Sequence, residues 1–493
     1  PAKEAPVDAD IVAYTTEFAL ATGMLMEPAD VVPRGAKVHC PVSLRPTPFP
    51  RESFEHAMKL AQPFNQLFDG IGRDTKWLAE TLAHTGKADP FTGRLMRIME
   101  TVVAEGIRQP FMLGIHRSDY MLHTVNGVAK DILQVEFNTI ASSFGALSMK
   151  TTQLHKYVAV SLPHPPHTKP SLRHTAVRFP DDGIPPEDIP DCGTVPTMAL
   201  AMKAAHVAYN ASNAIVVFVV QPGERNATDQ RILEFALAEA HGVDVVRLTL
   251  AEIAARGRLD DKHALWVPVR GGEREVSLVY FRAGYTPDDY PSEAEWEARL
   301  LVERSLAIKC PSIGYHLAGT KKVQQALLTT GTLARFVPAD TAALLQTCFA
   351  GLWSLDPKDE GDPVRGVAVV IAGAKADPDR YVLKPQREGG GNNIYGDDIP
   401  TALASMSPET LSAYILMQRI FPPTNPNVLL RNGIPMRAHT VSELGVYSVF
   451  LGDGKSTPRL SAPAGHLLRS KAVGVDEGGV ATGYSVLDSV VLK

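Results

Sequence analysis

A chain of 493 residues with 45% hydrophobic, 21% charged and 7% aromatic residues can bury a large core, and its composition excludes a disordered, collagenous or low-complexity polypeptide. Lysine and arginine total 49 against 54 acidic residues, so the formal charge of −5 gives no electrostatic reason to expect nucleic acid or an acidic membrane, and small ligands are expected instead. Cys40, Cys192, Cys310 and Cys348 are scattered and form no C-x-x-C pair, which argues against a zinc ribbon or a disulfide framework and fits a reducing compartment.

The N-terminal stretch carries Glu4, Asp8, Asp10, Glu17 and Glu27 with Lys3 as its base before Arg34, unlike a secretory or Arg-rich transit peptide. No window approaches the roughly 20 apolar residues of a bilayer span, so a soluble chain is expected. Phe54, Met58, Ala61, Phe64 and Phe68 stand at helical spacing and open a helical N-terminal layer that runs to about residue 108. From Asp131 to Thr139, Leu133, Val135 and Phe137 alternate with Gln134, Glu136 and Asn138, a strand pattern that places Glu136 and Asn138 on one face. Nine of the 36 residues from Ser161 to Pro196 are proline, which predicts an extended, helix-free loop and a boundary. Beyond it, the apolar run Ala214 to Val220, a helix from Asp229 to His241 stopped by Gly242, and the run Val243 to Leu248 predict a β-α-β unit. A strand from Ser277 to Phe281 then delivers Arg282, Gly284 and Tyr285 to the carboxyl end of a sheet, where α/β folds hold ligands. Further strands are expected at Tyr381 to Lys384, Tyr414 to Ile420 and Glu443 to Leu451.

The motifs exclude before they include. No G-x-G-x-x-G follows a strand and no G-x-x-x-x-G-K-[ST] occurs, which removes dinucleotide oxidoreductases and P-loop NTPases. There is no H-E-x-x-H, and His164 and His167 in the Pro-rich loop lack the carboxylate or thiolate support of a metal site. The densest polar cluster runs from Lys384 to Asn393. Lys384 can offset phosphate charge, Glu388 can hold Mg²⁺, and three glycines let backbone N–H groups approach phosphate oxygens. Glu136 and Asn138 form a hard-oxygen pair that suits Mg²⁺, although a solvent-facing strand edge would look alike. Lys321-Lys322 reads equally as a phosphate contact or a helix start. Arg117, Arg282 and Arg469 suit a substrate with several carboxylates, each against the alternative of a surface ion pair. The loop Asp476 to Gly483 has the small residues of a moving lid or of an exposed hairpin.

Taken in order, HRSDYM at 116 to 121, the Glu136/Asn138 strand, ERN at 224 to 226, YFRAGY at 280 to 285, AGTKKVQQ at 318 to 325, KPQREGGGNNIYG at 384 to 396, SELGVY at 442 to 447 and LLRSK at 467 to 471 resemble the eukaryotic glutathione synthetase family of ATP-grasp ligases. YHLAGTKK, GGGNNIYGDD and ILMQRIFP look most like its plant-like branch. The resemblance implies an α/β protein with a permuted ATP-grasp fold, a helical N-terminal layer, an inserted β-α-β substrate domain and a glycine-rich lid. The expected division is 1–213 for the helical region and the first part of the core, 214–322 for the substrate domain, and 323–493 for the core and lid.

The implied reaction joins γ-glutamylcysteine to glycine through an acyl phosphate, with ATP as co-substrate and Mg²⁺ as cofactor. The metal ligands it implies are Glu136, Asn138 and Glu388. For ATP it implies Lys321, Lys384, Gln386 and Glu388, the loop Gly389, Gly390, Gly391, Asn392 and Asn393, then Tyr395, Met417, Gln418, Arg419, Ile420, Glu443 and Lys471. For γ-glutamylcysteine it implies Arg117, Ile140, Ala141, Ser142, Ser143, Glu224, Arg225, Asn226, Gln230, Arg282, Ala283, Gly284 and Tyr285. For the glycine end it implies Arg469, Val480 and Ala481. Arg117, Lys384 and Arg469 take the catalytic roles, with Arg117 first for the tetrahedral intermediate. A homodimer in the cytoplasm is implied, or in a plastid if a transit peptide has been removed.

Three positions depart from the family pattern: Gln418 where some relatives carry Glu, Thr482 for the second alanine of Val-Ala-Ala-Gly, and Ala283 where some carry Asp. The rival expectations are a homoglutathione-type synthetase that uses β-alanine, which the Val480-Ala481 step opposes, and a catalytically silent nucleotide-binding scaffold.

Overall fold

A computed structural model describes residues 9–28, 35–125, 128–161, 184–356, 366–387 and 391–493. The fold is mixed α/β. Its N-terminal layer includes α1 (Arg51–Lys59), α2 (Ala61–Arg73) and α3 (Pro90–Glu105). The helical spacing from residue 52 to 68 resolves into two helices because Pro63 has no N–H to donate back to Lys59, so the first helix ends and the second starts across Leu60. On α2, Phe64, Leu67, Phe68 and Ile71 form one buried stripe. Asp89 caps α3 by accepting from Thr92 N at 2.9 Å, with Pro90 in the first turn.

The described residues contain a 13-stranded sheet as the central element. Its hub is β1 (Met112–Val125), which pairs antiparallel with β2 (Val128–Asn138). Helices α4 (Gly145–Ser161) and α5 (Thr194–Tyr209) pack against the sheet, and the unit β3 (Ile215–Val219), α6 (Ala227–His241) and β4 (Val245–Leu248) adds its strands to it. The last three form the expected parallel β-α-β unit, and Gly242 closes α6 in the left-handed conformation that glycine adopts freely. β5 (Gly272–Phe281) and β6 (Ile308–Cys310) continue in parallel and bring the unit back to β1.

A separate four-stranded sheet contains β7 (Leu352–Ser354), β8 (Tyr381–Pro385), β9 (Ile394–Tyr395) and β10 (Tyr414–Gln418). The chain then returns to the large sheet through β11 (Asn425–Arg431), the 19-residue β12 (Ile434–Gly452), β13 (Leu460–Ala472) and β14 (Val486–Asp488). β12 lies antiparallel to both β1 and β13.

Two expectations are corrected. The Pro-rich stretch is not helix-free at its end: Pro186 opens a short 3₁₀ turn and Pro196 lies in the first turn of α5, where the missing N–H has no intrahelical partner to lose. Residues 162–183 of that stretch lie outside the described residues. The simple alternation along β2 also fails at Val135, where a bulge sets Asp119 opposite Glu136 but Tyr120 opposite Gln134. Gln134 is consequently buried and donates to Ser118 Oγ at 2.7 Å, while Glu136 and Asn138 keep a common face. Phe137 between them turns inward and stacks on Phe68 at 3.8 Å between ring centroids. Truncation of such an aromatic to alanine costs about 3–5 kcal/mol, so the core fixes which face the two polar neighbours present.

Candidate active site

Strand register assembles the site. Across β1 and β2, Arg117 pairs with Asn138 and Asp119 with Glu136; across β1 and β12, Arg117 pairs with Tyr447 and Asp119 with Gly445; across β12 and β13, Glu443 pairs with Arg469. Side chains two apart on a strand share a face, so these rows stack polar groups on one surface. The four-stranded sheet, with Val382, Lys384 and Met417, lines the facing side of a cleft with room for about 530 Å³, within the usual span of small-molecule sites.

The sheet wall is a continuous charge network. Arg117 grips Asp119 bidentately, Nε to Oδ1 at 2.7 Å and Nη2 to Oδ2 at 2.8 Å. Arg469 donates Nη2 to the same Oδ2 at 3.1 Å and also bonds its cross-strand neighbour Glu443. Asn138 Nδ2 donates to Asp119 Oδ2 at 3.0 Å and to Arg117 O at 3.2 Å. Lys321 Nζ lies 3.0 Å from Glu136 Oε2, and Lys384 Nζ donates to Val135 O at 3.1 Å. Burial alone would raise the Glu136 carboxyl, but Lys321, Lys384 and Arg469 hold it well below the usual carboxylate range. For Glu443 burial outweighs the pull of Arg469 and the group is pushed up. Burial likewise lowers the Lys471 ammonium.

The facing wall is tied through backbone atoms. Glu477 accepts from Gly391 N at 2.7 Å and Asn393 N at 3.0 Å, bridging the C-terminal loop to the glycine segment. Lys471 Nζ donates to Asp476 O at 2.6 Å and Glu477 O at 3.0 Å, and Arg419 Nη2 bonds Asp476 Oδ1 at 2.6 Å. Asn393 Nδ2 donates to Tyr395 Oη at 3.1 Å. Thr482 Oγ1 donates to Gly478 O at 3.3 Å and Gly479 O at 3.1 Å, which gives this departure from the family pattern a local role in shaping the loop. Gln418 also turns to its own sheet: Gly351 N donates to its Oε1 at 3.0 Å.

At the third side, Ala141 and Phe144 adopt φ of 50° and 71°, a conformation that non-glycine residues rarely take and that concentrates at functional sites. The turn they shape is held at Ser143, whose carbonyl accepts from Tyr447 Oη at 2.5 Å and Arg117 Nη1 at 3.3 Å, and whose hydroxyl accepts from Arg282 Nη2 at 2.8 Å. Asp229, 3.4 Å from Arg282 Nη1, caps α4 by accepting from Phe144, Ala146 and Leu147 N–H groups. Glu224 accepts from Asn226 N and Gln230 Nε2, both at 2.7 Å.

The expected residues Arg117, Glu136, Asn138, Ile140, Ala141, Ser142, Ser143, Tyr285, Lys384, Asn393 and Tyr395 line the cleft, as do the Met417 to Ile420 segment, Glu443, Arg469, Lys471, Val480 and Ala481. Lys321 reaches it through Glu136 and Arg282 through Ser143. Glu224, Asn226 and Gln230 form a neighbouring cluster, and Arg225 is exposed and turns to Glu27 O at 3.4 Å. Ala283 and Gly284 stand behind Tyr285, in a turn whose N–H groups at 284 and 285 converge on Asp289 Oδ2. Gln386 Oε1 accepts from Lys322 N at 3.1 Å. Gly391 meets Glu477 as above, and Asn392 adjoins it. Glu388, Gly389 and Gly390 lie outside the described residues. Sequence reasoning missed Asp119, Tyr447 and Glu477, although each sits inside a segment it singled out. Position two beyond Arg117 on a strand was the available signal for Asp119.

The family model described as the ATP-binding domain of eukaryotic glutathione synthase matches residues 7–492. The chain is 42% identical over 470 residues to "Glutathione synthetase, chloroplastic" of Solanum lycopersicum, which covers 94% of this chain and 80% of the relative. It is 39% identical over 486 residues to "Glutathione synthetase" of Homo sapiens, covering 97% and 96% respectively. A solved structure of a glutathione synthetase-like effector from Globodera pallida, in apo form, shares the fold with a TM-score of 0.74 at 20% identity, over 98% of this chain and 97% of that one. This chain therefore belongs to the eukaryotic glutathione synthase family.

Proposed function

We propose that this chain is the ATP-dependent carbon–nitrogen ligase that joins γ-glutamylcysteine to glycine, giving glutathione, ADP and phosphate. The observation that carries the reading is the convergence of Arg117, Arg469, Lys384 and Lys471 on one cleft with the Glu136/Asn138 oxygen pair. A carboxylate is a poor acyl donor. Its oxygen therefore attacks the γ-phosphorus of ATP, ADP leaves, and the glycine nitrogen then attacks the acyl carbon and expels phosphate. Lys384 and Lys471 offset phosphate charge, chiefly an electrostatic and positioning role. Arg117 faces the oxyanion of the tetrahedral intermediate, and Arg469 orients the glycine end.

Mg²⁺ fits the donors present. Glu136 is held ionised, and the Asn138 nitrogen is engaged with Asp119 and Arg117, so its side-chain oxygen is the atom offered to a cation. Two such oxygens suit an ion that keeps most of its waters, and the family resemblance assigns Glu388 as a third ligand. When bound it would neutralise charge on the transferring phosphoryl group. Asn226 Nδ2 and Oδ1 and Ser142 Oγ are buried without partners, as groups reserved for the γ-glutamylcysteine portion would be.

The permuted ATP-grasp arrangement belongs to the same reading. It divides into 1–213, 214–322 with the substrate domain, and 323–493 with the core and a lid made by the glycine segment and the 476–483 loop. Assembly as a homodimer completes it, with residence in the cytoplasm or, as the names of the plant relatives favour, a plastid. The comparisons favour neither the β-alanine enzyme nor a silent scaffold.

The test is ADP release with γ-glutamylcysteine, with and without amine. ADP should appear in step with tripeptide only when an amine is present, and β-alanine should support kcat/KM about 10- to 200-fold lower than glycine, the range for one methylene against a pocket wall at Val480 and Ala481. ADP release unchanged by glycine, or equal kcat/KM for the two amines, would refute it.

A further inference from the structure

We infer that Asp119 and Gly445 form the device that positions Arg117 and Arg469 for acyl transfer, Asp119 as their shared anchor and Gly445 as the space in which the anchored pair lies. The inference rests on the ligase reading above and adds two residues that do not themselves face the substrates. Asp119 is fully buried and stands behind the cleft lining, whereas Arg117, Arg469 and Asn138 all reach it. Both of its carboxylate oxygens are engaged. Oδ1 takes Arg117 Nε, and Oδ2 takes Arg117 Nη2, Arg469 Nη2 and Asn138 Nδ2, all between 2.7 and 3.1 Å.

The geometry follows from the guanidinium fork. One edge of Arg117, Nε with Nη2, is fixed on Asp119 and Nη1 gives one hydrogen to Ser143 O at 3.3 Å, so the second hydrogens of Nη1 and Nη2 are what remain for an anion in the cleft. Because the same carboxylate also holds Arg469, one buried group links the two cations. Each guanidinium alone has several rotatable bonds. Tied to a common oxygen, the two keep one spacing, which is what a site that must meet a developing oxyanion requires.

Gly445 stands directly across the strand pair from Asp119. Its φ lies outside the left-handed region, so the backbone there does not call for glycine. The side chains do. A Cβ at this position would lie 2.8 Å from Arg117 Cδ and 2.8 Å from Asp119 Oδ1, with Arg117 Cγ at 3.2 Å. Two stiffly bonded groups would have to move together. Glycine is thus required for the room it leaves over the strand, and alanine is expected to displace the Arg117–Asp119 pair without altering any ligand contact of its own.

The competing explanation is that Asp119 merely neutralises two buried cations and that Gly445 is a packing detail. The two differ in what they move. Gly445→Ala should lower kcat for tripeptide formation about 10- to 100-fold, since a misplacement of about 1 Å can cost 10²-fold, while the thermal shift given by a non-hydrolysable ATP analogue stays at the wild-type value. Asp119→Asn should lower kcat further. In an Arg117→Ala background the added Asp119→Asn change should cost less than it does in the wild-type chain, because only Arg469 is then left for the carboxylate to position. Wild-type kcat in Gly445→Ala, or losses that multiply in the double variant, would overturn the inference, and where one variant does not fold the other decides. A wild-type chain that makes no glutathione would refute the ligase reading instead.

Discussion

On the large-sheet side of the cleft, Arg117, Asp119, Glu443 and Arg469 are bonded side chain to side chain and placed by strand register. On the facing side, apart from the Arg419–Asp476 ion pair, the glycine segment and the C-terminal loop are held mostly by bonds that end on backbone atoms of turns: Glu477 to the amides of Gly391 and Asn393, and Lys471 to the carbonyls of Asp476 and Glu477. The difference follows from what each side has to do. Groups that meet the reacting carbonyl need placement within a fraction of an ångström, which paired strands over a packed core provide. On the proposed ligase reading, segments that cover a nucleotide must also release it, and a segment held by exposed turn hydrogen bonds opens at low cost.

Substitutions on the two sides should therefore separate in kinetics. The largest effect is expected on the sheet side, where Glu136→Gln should lower kcat at least about 100-fold, and chelation of divalent metal should abolish turnover of the wild type, because the cation supplies several kcal/mol to the transition state. Turnover that survives chelation would break the assignment. A smaller effect is expected on the loop side. Glu477→Gln should raise KM for ATP and lower kcat together, each by up to about 10-fold, with the melting temperature within a few degrees, because the tie it weakens is exposed at Gly391. If it instead changed kcat alone by the larger factor, the distinction between the two sides would be lost.

The smallest effect concerns pH. On the proposed reading the Lys471 ammonium binds phosphate and does so only while protonated; burial lowers its pKa, so ATP affinity would be full below that pKa and decline as pH rises through it. KM for ATP should rise a few-fold as pH increases while still below the ordinary lysine value of about 10.4, and Lys471→Arg should remove the rise. An identical alkaline limb in the variant would assign it elsewhere.

Much of the sheet side was legible in the sequence because its signals are local. Alternation along 131–139 placed Glu136 and Asn138 on one face, and Gly242 marked the end of its helix. The bulge at Val135 was not legible, since nothing in the alternation shows that two residues of one strand oppose one of the other. Pro196 misled for a different reason: a proline-dense run reads as loop, yet proline is tolerated in a first helical turn. The tie from Glu477 to Gly391 spans 86 positions, and the role of Gly445 depends on side chains from another strand. Such long-range contacts leave no periodic trace. The motif resemblance supplied most of the ligand assignments, and it too passed over Asp119, which stands behind the cleft lining.

The most direct measurement of the central claim, that this site activates a carboxylate by phosphorylation before the amine attacks, follows oxygen. γ-Glutamylcysteine labelled with ¹⁸O in its cysteinyl carboxylate should transfer one labelled oxygen to inorganic phosphate for each glutathione formed, since the oxygen that attacks phosphorus leaves with it when glycine attacks carbon. Glutathione formed with unlabelled phosphate would contradict the acyl phosphate route and, with it, the roles given to Arg117 and Lys384.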